Sequence, residues 1–149
     1  RRARERMLHL LKSTSRTELE IRRKLGEALY PQQAIDEAVA FAKRYHYIDD
    51  DDYAARYFEI YGDKKSVRQL AAELRRKGID RETVNRLAGE SGGDETEKAR
   101  ALLRKKHYDP EQADPAERRR AAAFLARRGF SGDVIRRAMG RDFDFDDVL

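Results

Sequence analysis

This chain writes one helix–turn–helix joint three times, and that repetition limits its fold more than any other feature. The stretch "ELRRKGIDRETV", residues 73–84, reads as a helix end, a glycine stop and a new helix start. Shifted forward by 51 positions, Leu74, Gly78, Ile79, Val84 and Leu87 fall on Leu125, Gly129, Phe130, Ile135 and Ala138. Shifted back by 49, the same columns land on Leu25, Leu29, Tyr30, Ile35 and Ala38. Only the glycine column fails in the first copy, where Leu29 stands. Each joint is preceded by a further helical stretch: "RERMLHLLK", "DDYAARYFEIYG" and "DETEKARALLRKK".

Helical periodicity supports this division. Val67, Leu70, Ala71 and Leu74 recur at i, i+3, i+4 and i+7, as do Ile35, Ala38, Val39 and Ala42. Gly78 supplies a C-terminal stop, Asp80 an N-cap, and Pro31 suits a first-turn position. Strand-like alternation is missing, so the fold class is all-α. The expected organisation is three tandem three-helix repeats at 1–48, 49–91 and 94–140, with an acidic tail at 141–149. "GESGGD", Gly89 to Asp94, is the expected flexible linker.

Composition then constrains how such repeats are used. Charged residues make up 41% of the 149-residue chain and apolar residues 40%, against roughly 25% charged in ordinary domains. So charged a three-helix unit buries little by itself, and stacked units share a longer core. The expected shape is an elongated, curved rod of unspecified hand. The net charge of +5 and the pI near 9.5 favour an acidic partner. The chain has no cysteine, hence no disulfide framework or thiolate metal site. It opens on Arg1 rather than Met, as a trimmed or processed fragment would.

Motifs for catalysis do not emerge. There is no phosphate loop and no GxGxxG. His9, His46 and His107 are scattered one per repeat and read as ordinary surface or interhelix residues. The run Asp49 to Asp52 lacks the glycine and glutamate spacing of a calcium loop, placing Ala54 and Ile60 there instead. It reads as a helix cap, with further aspartates favouring the positive helix end. Neither an enzyme nor a cofactor is expected.

Charge on the helix faces carries more information. On a wheel of about 100° per residue, Lys65, Arg68, Arg75 and Arg76 gather nearly opposite the apolar side, and Lys64 extends them. In the third repeat Arg119 and Arg127 occupy the columns of Arg68 and Arg76, and Arg128 that of Lys77. The first repeat holds Leu19 and Glu27 in the two arginine columns, leaving Arg16 and Arg23 nearby. Aligned arginines on successive units would form a stepped positive track suited to an elongated polyanion or acidic polymer. Tyr53, Tyr57 and Tyr61, at i, i+4 and i+8, read as a buried helix seam rather than a base-stacking row.

Three segments carry a family resemblance. "SRTELEIRRKL", "YHYIDDDDYAARYFE" and "KKSVRQLAAELRRKGI" resemble successive signatures of the RecX regulatory proteins. The matching positions are Ser15 to Leu19; Tyr47, Ile48, Asp49, Asp50, Tyr53 and Ala54; and Arg68, Glu73, Leu74, Lys77, Gly78 and Ile79. His46 stands where that family often has glycine, and the "DFDFDD" tail is also similar. The resemblance implies three tandem three-helix repeats that lodge in the groove of the RecA filament on single-stranded DNA. It implies inhibition of RecA ATP hydrolysis, strand exchange and filament growth, damping recombination and the SOS response without catalysis. The contact residues expected are Arg68 and Lys77 from the family segment and Lys64, Lys65, Arg75 and Arg76 from the helix wheel. Arg119, Arg127 and Arg128 follow from the repeat alignment. A cytoplasmic monomer without membrane attachment is expected, with weak binding to single- or double-stranded DNA. Two other readings stay open: a helical module acting directly on DNA, and a helical adaptor with no nucleic-acid link.

Overall fold

The structure, a computed structural model, describes residues 1–91 and 93–140 of the chain. Among the described residues there are nine α-helices and no strand. They are α1 (Arg2–Ser13), α2 (Glu18–Glu27), α3 (Gln32–Arg44), α4 (Asp50–Tyr61), α5 (Val67–Arg76), α6 (Arg81–Ser91), α7 (Glu95–Lys105), α8 (Pro115–Arg127) and α9 (Gly132–Met139). The acidic tail, 141–149, lies outside the described residues.

The three joints are built alike. At each, the first helix ends in a residue with left-handed backbone: Leu29 (φ 66°), Gly78 (φ 89°) and Gly129 (φ 87°). The next amide then reaches back five residues: Tyr30 to Leu25 O (3.2 Å), Ile79 to Leu74 O (2.9 Å) and Phe130 to Leu125 O (3.2 Å). This is the Schellman arrangement, which satisfies carbonyls that the helix end would otherwise leave unpaired. His46 (φ 59°) and His107 (φ 60°) play the same role at the ends of α3 and α7. His46 thus keeps the turn that glycine makes elsewhere in the family pattern, in a conformation that histidine visits more readily than most residues.

Helix starts are capped by short polar side chains. Thr17 and Glu20 form a reciprocal capping box on α2. Asp80 accepts from the Thr83 amide at 2.7 Å, Asp114 from Glu117 at 2.8 Å and Ser131 from Val134 at 3.2 Å. Asp49 accepts from the Asp52 amide at 3.0 Å, so the aspartate run does cap α4. Its neighbour Asp50 accepts from the Glu18 amide at 2.9 Å, tying the start of α2 to the start of α4. Pro31 sits one position earlier than a first-turn proline, at the N-cap of α3. Helix α6 continues through Gly89 to Ser91, so half of the expected linker is helical.

The chain divides into two compact units, Arg1–Tyr57 with Glu73–Val84 and Phe58–Ala72 with Asn85–Leu149. In the first, α3 packs on α1 and α2 around Met7, Ile21, Leu25, Val39 and Ala42. In the second, α9 packs on α7 and α8 around Leu103, Phe124, Leu125 and Ile135. Each fully buried aliphatic side chain contributes about 1.5–3 kcal/mol. The middle repeat supplies buried residues to both units: Ala54, Leu74, Ile79 and Val84 to the first, Leu70 and Leu87 to the second.

One kind of contact that recurs between consecutive repeats, once inside each unit, lies at the joints. The buried Thr17 hydroxyl donates to the carbonyl of Lys77 at 2.5 Å. One repeat later, the buried Ser66 amide donates to the carbonyl of Arg128 at 3.0 Å. Thr17 and Ser66 share a column of the repeat, as do Lys77 and Arg128. Each N-cap therefore docks on the next joint, and close approach there leaves no room for a side chain. A Cβ on Gly78 would lie 2.6 Å from Leu19 Cβ, and one on Gly129 would lie 2.5 Å from Ser66 Oγ. Leu29 faces no such neighbour and is 88% exposed. The first copy can dispense with glycine because only the backbone conformation, not packing, demands it there.

Candidate functional site

Helix α5 presents two opposed faces. Leu70 and Leu74 are fully buried, while Arg68, Arg75 and Arg76 are exposed. The start of the helix is held firmly: Ser66 Oγ accepts from the Gln69 amide at 3.1 Å, and a Glu95 carboxylate oxygen accepts from the Val67 amide at 2.7 Å. On α8, Arg119 and Arg127 are likewise exposed. Among the described residues no ion pair engages Arg68, Arg75, Arg76, Arg119 or Arg127. Elsewhere cations are commonly paired, as in Arg22 with Glu18 (3.0 Å) and Asp36 (2.7 Å), or Arg100 with Glu97 (2.8 Å).

The remaining expected contact residues are placed differently. Lys64 is exposed and Lys65 half-buried, with ammonium groups 6.0 and 4.7 Å from the Tyr61 ring centroid. Lys77 is half-buried over the Tyr53 ring at 5.7 Å and lies 3.7 Å from Glu20. Burial works against its charge, but the Tyr53 hydroxyl and Glu20 outweigh that and raise its pKa. Arg128 is half-buried, 3.6 Å from the Phe124 ring centroid, and donates to the Phe124 carbonyl at 3.4 Å. Burial, aided by the charge of Arg127, pulls its pKa below the usual arginine value. Lys77 and Arg128 share a column, and in both the backbone carbonyl receives the preceding repeat while the side chain covers an aromatic ring. Their geometry serves the joint as well as any partner.

The tyrosine row, expected as a buried seam, is only half-buried. Tyr53 and Tyr57 stack at 6.4 Å, and the Tyr57 hydroxyl donates to Glu73 at 2.6 Å. In the first repeat, Leu19, in the column of Arg68, covers the Gly78 turn. Arg23 is exposed, whereas Arg16 is half-buried with its Nε unpartnered among the described residues.

The structure adds cations that the helix wheel did not select. A cavity of about 450 Å³ opens between the end of α7 and the outer face of α8. Lys106, His107 and Arg120 line it together with Arg127. The i, i+7 spacing of Arg120 and Arg127 was the available sequence signal; the approach of the α7 end was not visible. Among the described residues no cluster of three or more His, Cys, Asp or Glu side chains could hold a metal. No helix among them is long and apolar enough to cross a membrane.

Comparison with known proteins places this architecture. Residues 3–41 match the model of the first three-helix domain of RecX, and residues 93–139 match that of the third. Regulatory protein RecX of Trichlorobacter lovleyi is 36% identical over 135 residues, covering 87% of this chain and 88% of the relative. The chain belongs to the RecX family. Regulatory protein RecX of Chromobacterium violaceum is 34% identical over 142 residues, covering 94% of this chain and 91% of that one. The crystal structure of RecX from Lactobacillus salivarius shares the fold, with a TM-score of 0.72 at 23% identity over 93% of this chain and 92% of that chain. A second RecX crystal structure aligns with a TM-score of 0.68 at 26% identity over 89% of this chain and 68% of that chain. This RecX-family chain is therefore an all-α protein of three-helix repeats from a family of regulatory proteins.

Proposed function

We propose that this chain is a non-catalytic regulator that binds the RecA filament on single-stranded DNA. It would inhibit RecA ATP hydrolysis, strand exchange and filament growth, and so damp recombination and the SOS response. Membership of a family of regulatory proteins supports this reading. The observation that carries the contact residues is the set of exposed arginines on α5 and α8 that no ion pair engages among the described residues. Guanidinium groups without carboxylate partners can fork onto acidic side chains or phosphates of a nucleoprotein surface. Such complementarity governs encounter and register more than raw affinity. The proposed contact residues are Lys64, Lys65, Arg68, Arg119 and Arg127 in one unit and Arg75 and Arg76 in the other, with Lys77 and Arg128 acting through the joints. The protein works as a cytoplasmic monomer and needs no cofactor.

A second reading, direct action on DNA, is favoured by the gathering of Arg120, Arg127 and Lys106 in the third repeat. One experiment separates the two. RecA ATP hydrolysis on single-stranded DNA is followed as the chain is added, and labelled DNA without RecA is titrated at two salt concentrations. The filament reading expects clear inhibition with weak, steeply salt-dependent binding to bare DNA. Tight, sequence-selective duplex binding with uninhibited RecA would replace it by the second.

A further inference from the structure

The cavity of about 450 Å³ in the third repeat has the size of a small-ligand site. Its rim is cationic. Lys106, Arg120 and Arg127 are exposed, and among the described residues no ion pair engages them. Against these three stands one lining carboxylate, Glu117, a surplus of two positive charges among the four side chains. The charge of Arg120 is also felt by Asp114, the α8 cap, whose carboxylate already accepts from the Glu117 amide. The Lys106 ammonium lies over the Phe124 ring, 4.4 Å from its centroid.

The floor is apolar. Ala121, Ala123 and Leu103 line it, and the two alanines leave the space that a larger side chain would fill. Tyr108 is half-buried at the wall, and burial pushes its phenol pKa up, so it stays a hydrogen-bond donor. A bare inorganic anion would use the rim and leave the floor wet. A purely apolar ligand would leave the arginines unanswered. A nucleoside phosphate uses both: arginine forks on phosphate oxygens, the sugar and base on the apolar floor, and Glu117 accepting from an amino or hydroxyl group.

We propose that this cavity is a nucleoside-phosphate site, taking either a free nucleotide or one nucleotide of a single strand. It requires no RecA, so its test is separate from that of the filament reading.

The full chain is titrated with fluorescently labelled ADP and, separately, with a short labelled oligothymidylate, by anisotropy and by the amide shifts of Tyr108 and Ala123. Arg120→Gln is compared with Arg136→Gln, a charge-matched change at an arginine paired with Asp133 at 3.0 Å. Loss of a charged contact should weaken binding about tenfold in Arg120→Gln and leave Arg136→Gln like the wild type. Binding of labelled ADP with that pattern assigns the site to free nucleotides. Binding of the oligonucleotide alone with that pattern assigns it to a strand. The proposal is overturned if neither probe binds or shifts Tyr108 and Ala123. It is also overturned if Arg120→Gln binds like the wild type, or if both variants lose affinity equally.

Discussion

Consider Gly78→Ala, a change of one methyl group at the joint between α5 and α6. Gly78 has φ 89°, where a non-glycine residue costs about 1–2 kcal/mol. The new Cβ would also lie 2.6 Å from Leu19 Cβ and 3.1 Å from Leu19 Cδ2. The Leu19 Cβ is fixed to the backbone of α2, so the helix start must shift, straining the Thr17–Lys77 hydrogen bond beside it. Overpacking of this kind costs about 1–3 kcal/mol. The smaller conformational freedom of alanine in the unfolded chain offsets about 0.4–1 kcal/mol. The net expectation is a loss of about 1–4.5 kcal/mol, a large part of the roughly 5–15 kcal/mol that holds a domain folded. Leu29→Gly is the counter-experiment. The backbone conformation is similar (φ 66°), but the side chain is 88% exposed. Relief of the left-handed penalty, less the extra entropy of glycine, should stabilise by about 0.5–1 kcal/mol. Urea unfolding followed by far-ultraviolet circular dichroism reads both. If Gly78→Ala unfolds at the wild-type urea concentration, or Leu29→Gly at a lower one, the docking of each N-cap on the next joint is not what selects glycine.

Three further outcomes follow from the same structure. Leu74→Asp places an unpaired carboxylate at a fully buried position and should cost more than about 3 kcal/mol, seen as loss of helical signal at neutral pH. Thr17→Val removes the α2 cap and the hydroxyl that meets the Lys77 carbonyl, both buried, and should cost about 2–3 kcal/mol in the same assay. Burial raises the Asp50 pKa, and the neighbouring Glu18 charge adds to that, although the Glu18 amide opposes it. A raised carboxyl pKa contributes stability present below the unfolded value and lost as pH rises through the folded one. Asp50→Asn, which keeps an acceptor for the Glu18 amide, should thus be neutral or stabilising at pH 7. That advantage should vanish on acidification, and a clear loss at pH 7 in urea titrations would contradict it.

The fold was legible where its causes are local. Apolar spacing lies within a few residues of each joint, and at the second and third joints a glycine stop and a polar cap join it, so the joints and the nine helices of the described residues could be read. The reason Gly78 and Gly129 are glycine was not legible, because Leu19 and Ser66 are remote in sequence and meet those turns only after repeats dock. Helix α6 runs through Gly89 because a glycine with open space around it weakens a helix without ending it. For the candidate site, the wheel found Arg68, Arg75 and Arg76 because exposure opposite a buried face follows from helix geometry. The family segment groups Lys77 with them and the repeat alignment groups Arg128; Tyr53 is remote from Lys77 in sequence, whereas Phe124, four residues before Arg128, is visible locally. Lys106 and Arg120 were missed because their cavity joins two helices.

The most direct measurement is inhibition of RecA ATP hydrolysis by the triple variant Arg68→Glu, Arg75→Glu, Arg76→Glu. All three side chains are exposed, so helical content should survive. Reversing charges that meet an acidic or phosphate surface should raise the concentration needed for inhibition by at least about tenfold. Inhibition at the wild-type concentration would show that the α5 arginines do not contact the filament.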